Sequence, residues 1–237
     1  MELMFLAGIL LLAAIVQGLS GLGFSLIAAP AATQAIPGSP AIGLVNLLAL
    51  VQNIWQVWRG SGEIRWQIIR RLTPGLVLGF FVAVIPLYYL DNDVRALLVA
   101  FVSLGSLAMF AWWKPVVGSD SAFSAGAVGG AANTYAGVGG PIIAGFLKRQ
   151  GWKRDDYLRT QQLIFAVMNV ASIPLLGLPD VTPWQLLGAV VLLPVGVGIG
   201  LAARRFVSAE NALKVCELVV VIVGVVAVVR SIVQLSV

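Results

Sequence analysis

Apolar positions run along this chain in long blocks, which can be bounded at residues 3–36, 40–58, 73–90, 94–113, 122–147, 158–178, 183–203 and 212–233. Each approaches or exceeds the ~20 residues a helix needs to cross the hydrocarbon core of a bilayer. The chain is therefore expected to be an all-α polytopic membrane protein. The polar connections are short, which leaves no room for a soluble catalytic or receptor domain and predicts a single transmembrane domain.

Two blocks depart from a simple span. Residues 122–147 hold no charge, yet their middle reads GAVGGAANTYAGVGGPIIAG, a density of glycine and proline that predicts interruption of the helix. Non-helical backbone at membrane depth is tolerated only where protein buries it or where it lines a cavity, and broken helices of this kind build transporter sites. Residues 3–36 are too long for one span and hold a weaker copy, QGLSGLGFSLIAAP.

Charge then fixes a topology. Arg59, Arg65, Arg70 and Arg71 fall in one connection, Lys148, Arg149, Lys153, Arg154 and Arg159 in another, and Arg204 and Arg205 in a third. All three should face the cytoplasm, while the acidic loops at Asp91, Asp93 and Asp180 should face outside. If every block crossed once, the connections at Arg59 and Lys148 would lie on opposite sides. The conflict disappears if residues 122–147 form a hairpin of broken helices that enters and leaves on one side. The same shape applied to residues 3–36 gives two halves, 1–115 and 116–237, each a Gly-rich broken-helix hairpin followed by three transmembrane helices. Halves with an odd number of crossings must be inverted relative to one another, the inverted-repeat plan of many secondary transporters. Setting Gly21 and Gly23 on Gly137 and Gly139 fixes an offset of 116 residues, at which Asn46 meets Gln162 and Asn53 meets Asn169.

Composition narrows the chemistry. The chain is 59% hydrophobic and 11% charged, far below the roughly 25% charge of a soluble domain. The net charge of +5 is explained by the basic connections, so no nucleic-acid partner is expected. Cys216 is the single cysteine and histidine is absent, which excludes an intrachain disulfide and argues against a zinc or haem site. No cofactor is expected. Residues 1–17 lack a basic leader and a small-residue cleavage site, so this segment is expected to be retained. Trp55, Trp58, Trp66, Trp112, Trp113, Trp152 and Trp184 cluster at block ends, as an interfacial aromatic belt does.

The two glycine stretches, GLSGLGFSLIAAP and GGAANTYAGVGGPIIAGFL, together with the length and block spacing, resemble the TauE/SafE family of sulfite exporters, whose related halves each open with such a stretch. The resemblance covers nearly the whole chain. It implies a multi-pass transporter of the bacterial inner membrane that moves sulfite, sulfoacetate or other organosulfonates, with substrate and direction differing among members.

A compact oxyanion needs several hydrogen-bond donors, and the N-terminus of a half-helix provides them without lysine or arginine. On this reading Gly21, Gly23, Gly137, Gly139 and Gly140 bring backbone donors together near the midplane, with Ser25, Asn133 and Thr134 adding side chains. The alternative is that these glycines only let helices pack closely. Gln52, Asn53 and Asn169 are candidates because an amide inside a membrane helix must find a partner, in a site or across a helix interface. Tyr135 is a candidate as hydroxyl donor or gate, or as a packing residue. Lys214 and Glu217, spaced i,i+3, are expected to neutralise each other. With no histidine and no buried carboxylate chain, no proton relay is visible, and an inside-negative potential favours anion exit by ~2.3 kcal/mol per charge per 100 mV. An anion channel is the alternative reading. An intramembrane lipid-modifying enzyme is a weaker one, lacking a nucleophile or acid constellation. Oligomeric state stays open.

Overall fold

In a computed structural model the described residues are 2–112, 122–180 and 182–235, and they form ten helices with no strand. They are α1 (Glu2–Ser20), α2 (Phe24–Ala35), α3 (Ser39–Arg59), α4 (Trp66–Tyr89), α5 (Asn92–Trp112), α6 (Ala122–Ala136), α7 (Gly140–Lys148), α8 (Arg154–Leu176), α9 (Pro183–Ala203) and α10 (Ala209–Leu235). Segments Ser39–Arg59, Trp66–Ile85, Leu186–Ala203 and Glu210–Leu235 are each long and apolar enough to cross a membrane. Val77, Phe81 and Ile85 on α4, Val191, Val195 and Ile199 on α9, and Ile222, Val226 and Val229 on α10 are exposed, as lipid-facing side chains must be. Residues 113–121, among them Trp113 and the division expected between halves, lie outside the described residues, as does the side chain of Trp112.

The closest helix contacts are made by glycine. In α4, Gly75 and Gly79 meet the backbone of Phe123 and Ala127 in α6, and in return Gly126 and Gly130 of α6 meet Leu72 and Leu76. In the same way Gly18 of α1 meets Val197, and Gly200 of α9 meets Ile15. Small residues four apart let the backbones of two membrane helices approach within dispersion range. This corrects one expectation: the middle of the second glycine stretch does hold a regular helix. Gly126, Gly129 and Gly130 lie inside α6, because α4 and the returning α7 occupy the space their missing side chains leave.

The helix breaks are shorter and later. α1 gives way to α2 across Gly21 and Gly23, at φ +83° and +117°, and α6 gives way to α7 after Gly137, at φ +70°. Side chains with a Cβ rarely adopt these angles. At the second break Gly137 N–H still reaches Asn133 O at 2.8 Å and Val138 N–H reaches Ala132 O at 3.2 Å. The returning α7 lies back along α6, with Ile143 against Gly129.

α3 and α8 run antiparallel through the centre, Gly43 against Gly177 at one end and Gly60 against Arg159 at the other. α4 pairs with α6, α1 with α9, and α5 with α10. Ser20 and Ala136, where α1 and α6 end, are 116 residues apart, as are Phe24 and Gly140, where α2 and α7 begin.

At one end the basic connections meet. Asp156 accepts from Glu63 N–H at 2.8 Å and pairs with Arg65, Thr160 Oγ1 accepts from Arg65 N–H at 3.0 Å, and Arg159 donates to Val57 O at 3.1 Å and Gly62 O at 2.8 Å. The Glu63 amide and the Arg65 guanidinium hold the Asp156 carboxyl below the usual carboxylate range. Arg204 reaches the same end, donating to Leu19 O at 3.0 Å. α4 starts at Trp66, so Arg70 and Arg71 ride on its first turns and not in a loop. Lys214 pairs with Glu210 at 2.8 Å, i,i+4, in place of the expected Glu217.

Candidate functional site

Beside both breaks, residues of α1, α2, α3, α6, α7 and α8 line a cavity of about 30 Å³. That volume holds a water or two. No charged side chain is among its described lining residues. Polarity comes from amides, helix ends and one hydroxyl.

α2 and α7 both begin at this cavity, and they leave it in opposite directions. α7 runs toward the basic end, where Lys148 borders the same opening as Leu19. α2 runs away from it, since Gln34 near its C-terminus donates to Ser231 near the C-terminal end of α10, whose N-terminal turns lie at the basic end. The first three N–H groups of each helix have no partner one turn back. In α2 the first of them, Phe24 N–H, donates to Gln17 Oε1 at 3.2 Å, while Gln17 Nε2 reaches Gly21 O at 3.5 Å. Ser25 and Leu26, which follow, line the cavity. In α7 the second residue is Pro141, which has no N–H to leave open. Gly140 and Pro141 both line the cavity, with Phe165 closing over Gly140.

Five buried amides surround these helix ends. Asn133 donates to Asn169 Oδ1 at 3.3 Å and to Ser172 Oγ at 3.4 Å, tying α6 to α8. Asn53 and Gln17 are 4% and 5% exposed. Gln52 differs from them: it is 3% exposed, it lines the cavity, and among the described residues neither its amide nitrogen nor its amide oxygen has a hydrogen-bond partner. Leaving such a group unpaired costs about 1–3 kcal/mol.

Of the residues singled out in the sequence, Gly23, Ser25, Gln52, Asn53, Asn133, Gly137, Gly140 and Asn169 line this cavity together. Gly21 does not; it faces the basic end, close to Arg204 and Leu158. Gly139 keeps an ordinary φ of −66° and serves packing, since a side chain there would strike Met168 and Asn133. Thr134 turns away to the Ser172 hydroxyl, 3.2 Å off, beside an apolar groove between α4 and α8. Tyr135 packs against the apolar core. Gln17 was not singled out, although the offset of 116 sets it on Asn133 and would have found it.

The lining is dipolar, with two helix N-termini, five amides and no charged side chain among the described residues. The family model described as Sulfite exporter TauE/SafE matches residues 6–229. No curated protein and no solved structure matches the chain.

Proposed function

This chain belongs to the sulfite exporter TauE/SafE family, a family of membrane transporters, and from that premise we propose that it exports sulfite or a small organosulfonate across the inner membrane of a bacterial cell. The anion is held at the central cavity by the N-termini of α2 and α7 and by the amides of Gln17, Gln52, Asn53, Asn133 and Asn169. The observation that carries this assignment to the cavity is Gln52, buried, without a partner among the described residues, and lining the same cavity as the first residues of α2 and α7. A neutral, dipolar site suits a carrier, which must release its ligand as well as bind it. An inside-negative potential then favours exit without a coupled proton.

Access alternates between two inverted halves in this proposal. Two observations support it. The shared 116-residue spacing of the breaks extends to the starts of α3, α4 and α5, which fall within one residue of the starts of α8, α9 and α10 once shifted. The strongest helix pairings are also preserved when each helix is exchanged for its counterpart: α4 with α6 becomes α9 with α1, while α3 with α8 and α5 with α10 map onto themselves.

The deciding experiment is flux in proteoliposomes loaded with sulfite, with sulfoacetate, thiosulfate, sulfate and chloride as competitors. Wild type should show saturable flux competed by sulfur oxyanions and not by chloride. Gln52→Ala, Asn53→Ala and Asn169→Ala should each lower it at least tenfold while inserting normally. Normal flux in all three would remove the cavity from the transport path.

A further inference from the structure

A second opening lies at the basic end, about 300 Å³ in volume, between α3, α8 and α9. Three arginines border it, Arg59, Arg159 and Arg204, against one carboxylate, Asp155, which accepts from Ser61. Among the described residues the ion pairs engage Arg65 and Lys214, and none of the three arginines meets a carboxylate within 4.0 Å. Arg159 and Arg204 are fixed instead by backbone carbonyls of Val57, Gly62 and Leu19, which orient the guanidinium groups without neutralising them. Arg59 lies over the Trp55 ring, 5.3 Å from its centre. The charge of Arg204 is disfavoured by its partial burial and by nearby Arg154.

An independent observation marks the inner wall of this opening. Gln162 borders it, is 1% exposed, and among the described residues has no partner on either its amide nitrogen or its amide oxygen. It also points the way inward. On α8, Gln162 is followed two turns later by Asn169 of the central cavity; on the antiparallel α3, Arg59 and Gln56 are followed toward the cavity by Asn53 and Gln52. At 1.5 Å per residue the two sites are separated by roughly 10 Å along these helices.

We propose that this vestibule is a second anion-binding site, where a small oxyanion is taken from the aqueous phase between Arg59, Arg159 and Arg204, hydrogen-bonded by Gln162, and passed along the facing polar edges of α3 and α8 to the central cavity. The proposal rests on the reading that the central cavity carries an oxyanion. By the positive-inside rule the vestibule faces the cytoplasm. Clefts lined by one sign of charge concentrate the opposite ion, so the vestibule lowers the anion concentration at which transport half-saturates from that face alone.

The test uses the full chain in proteoliposomes of known orientation, with sulfite as the probe offered from either face. In Arg59→Gln and Gln162→Ala the half-saturating sulfite concentration at the basic face should rise about three- to tenfold, with that at the opposite face within twofold of wild type. Arg59→Lys should restore most of the difference. In 1 M salt the Arg59→Gln effect should shrink, because a screening length of about 3 Å removes the field of an exposed charge. Equal half-saturation in wild type and both variants at low salt overturns the vestibule. Binding is read separately, by the fluorescence of Trp55 on titration with sulfite in detergent, using Trp55→Phe to identify its share. Sulfite binding that Arg59→Gln weakens, with no wild-type flux, upholds the vestibule and overturns transport through the central cavity. Flux without that binding signal upholds the cavity and overturns the vestibule.

Discussion

Gly137 carries two constraints at once, a φ of +70° and the Asn46 carboxamide oxygen 3.1 Å from where a Cβ would stand. Gly137→Ala should lower stability by about 1–2 kcal/mol for the left-handed backbone alone, and by more where Asn46 is displaced. Gly151→Ala, at φ +67° with open space around it, should show only the backbone part, and Gly105→Ala, with ordinary φ and nothing within 4 Å, should be nearly neutral. Thermal unfolding in detergent ranks the three. Asp156 offers a test in pH. Its carboxyl titrates lower in the fold than in the unfolded chain, where it lies near ~3.9, so its contribution is complete above that value and is lost as pH falls through the folded value. Asp156→Asn should therefore lower the unfolding temperature at pH 7, and the difference from wild type should close in strong acid. Single residues were unevenly legible. Asn53 and Asn169 stand out as amides in apolar helices, whereas Gln17 is legible only through the 116-residue offset that sets it on Asn133, because its partner, the Phe24 amide, is created by the chain reversal.

Each helix break needs little more than one residue of special backbone, while most glycines in the two stretches work as contact surface. This was the least legible part of the sequence: a glycine that turns the chain and a glycine that lets α4 approach α6 are identical in composition and differ only in what lies opposite. Gly126→Val should separate the two helices, since even a Cβ there falls against the Leu72 carbonyl and 3.0 Å from the Leu76 amide. Overpacking of this kind costs about 1–3 kcal/mol, and the yield of monodisperse protein after extraction should drop. Gly198→Val is the control, on the exposed face of α9 with nothing within 4 Å, and should extract as wild type does. The apolar helices themselves were plain from their length, because a bilayer imposes that length. α4 extends beyond the apolar block of residues 73–90, and its first turns carry Arg70 and Arg71 at the polar boundary.

Across the whole molecule the three basic connections gather at one end, joined by the Arg65–Asp156 pair and by Arg159. Because Cys216 is the only cysteine and is buried, a Cys216→Ala background makes single-cysteine reporters simple. Cysteines placed at Ser61 and at Gln150 should label from the same face of the membrane, and labelling from opposite faces would break the proposed topology. Charge carried that information in the sequence, through the clash between basic loops and a simple crossing count. What no periodicity could reveal is which helices touch, since lipid-facing and protein-facing apolar surfaces have nearly the same composition. α1 packs on α9, and Gly18 meets Val197. A ribosome adding about 5–20 residues per second delivers that partner roughly ten to forty seconds after Gly18 itself. For that interval the first helix sits in the membrane with its glycine groove uncovered, so chains that stop before α9 should be the ones that cellular quality control recognises and degrades.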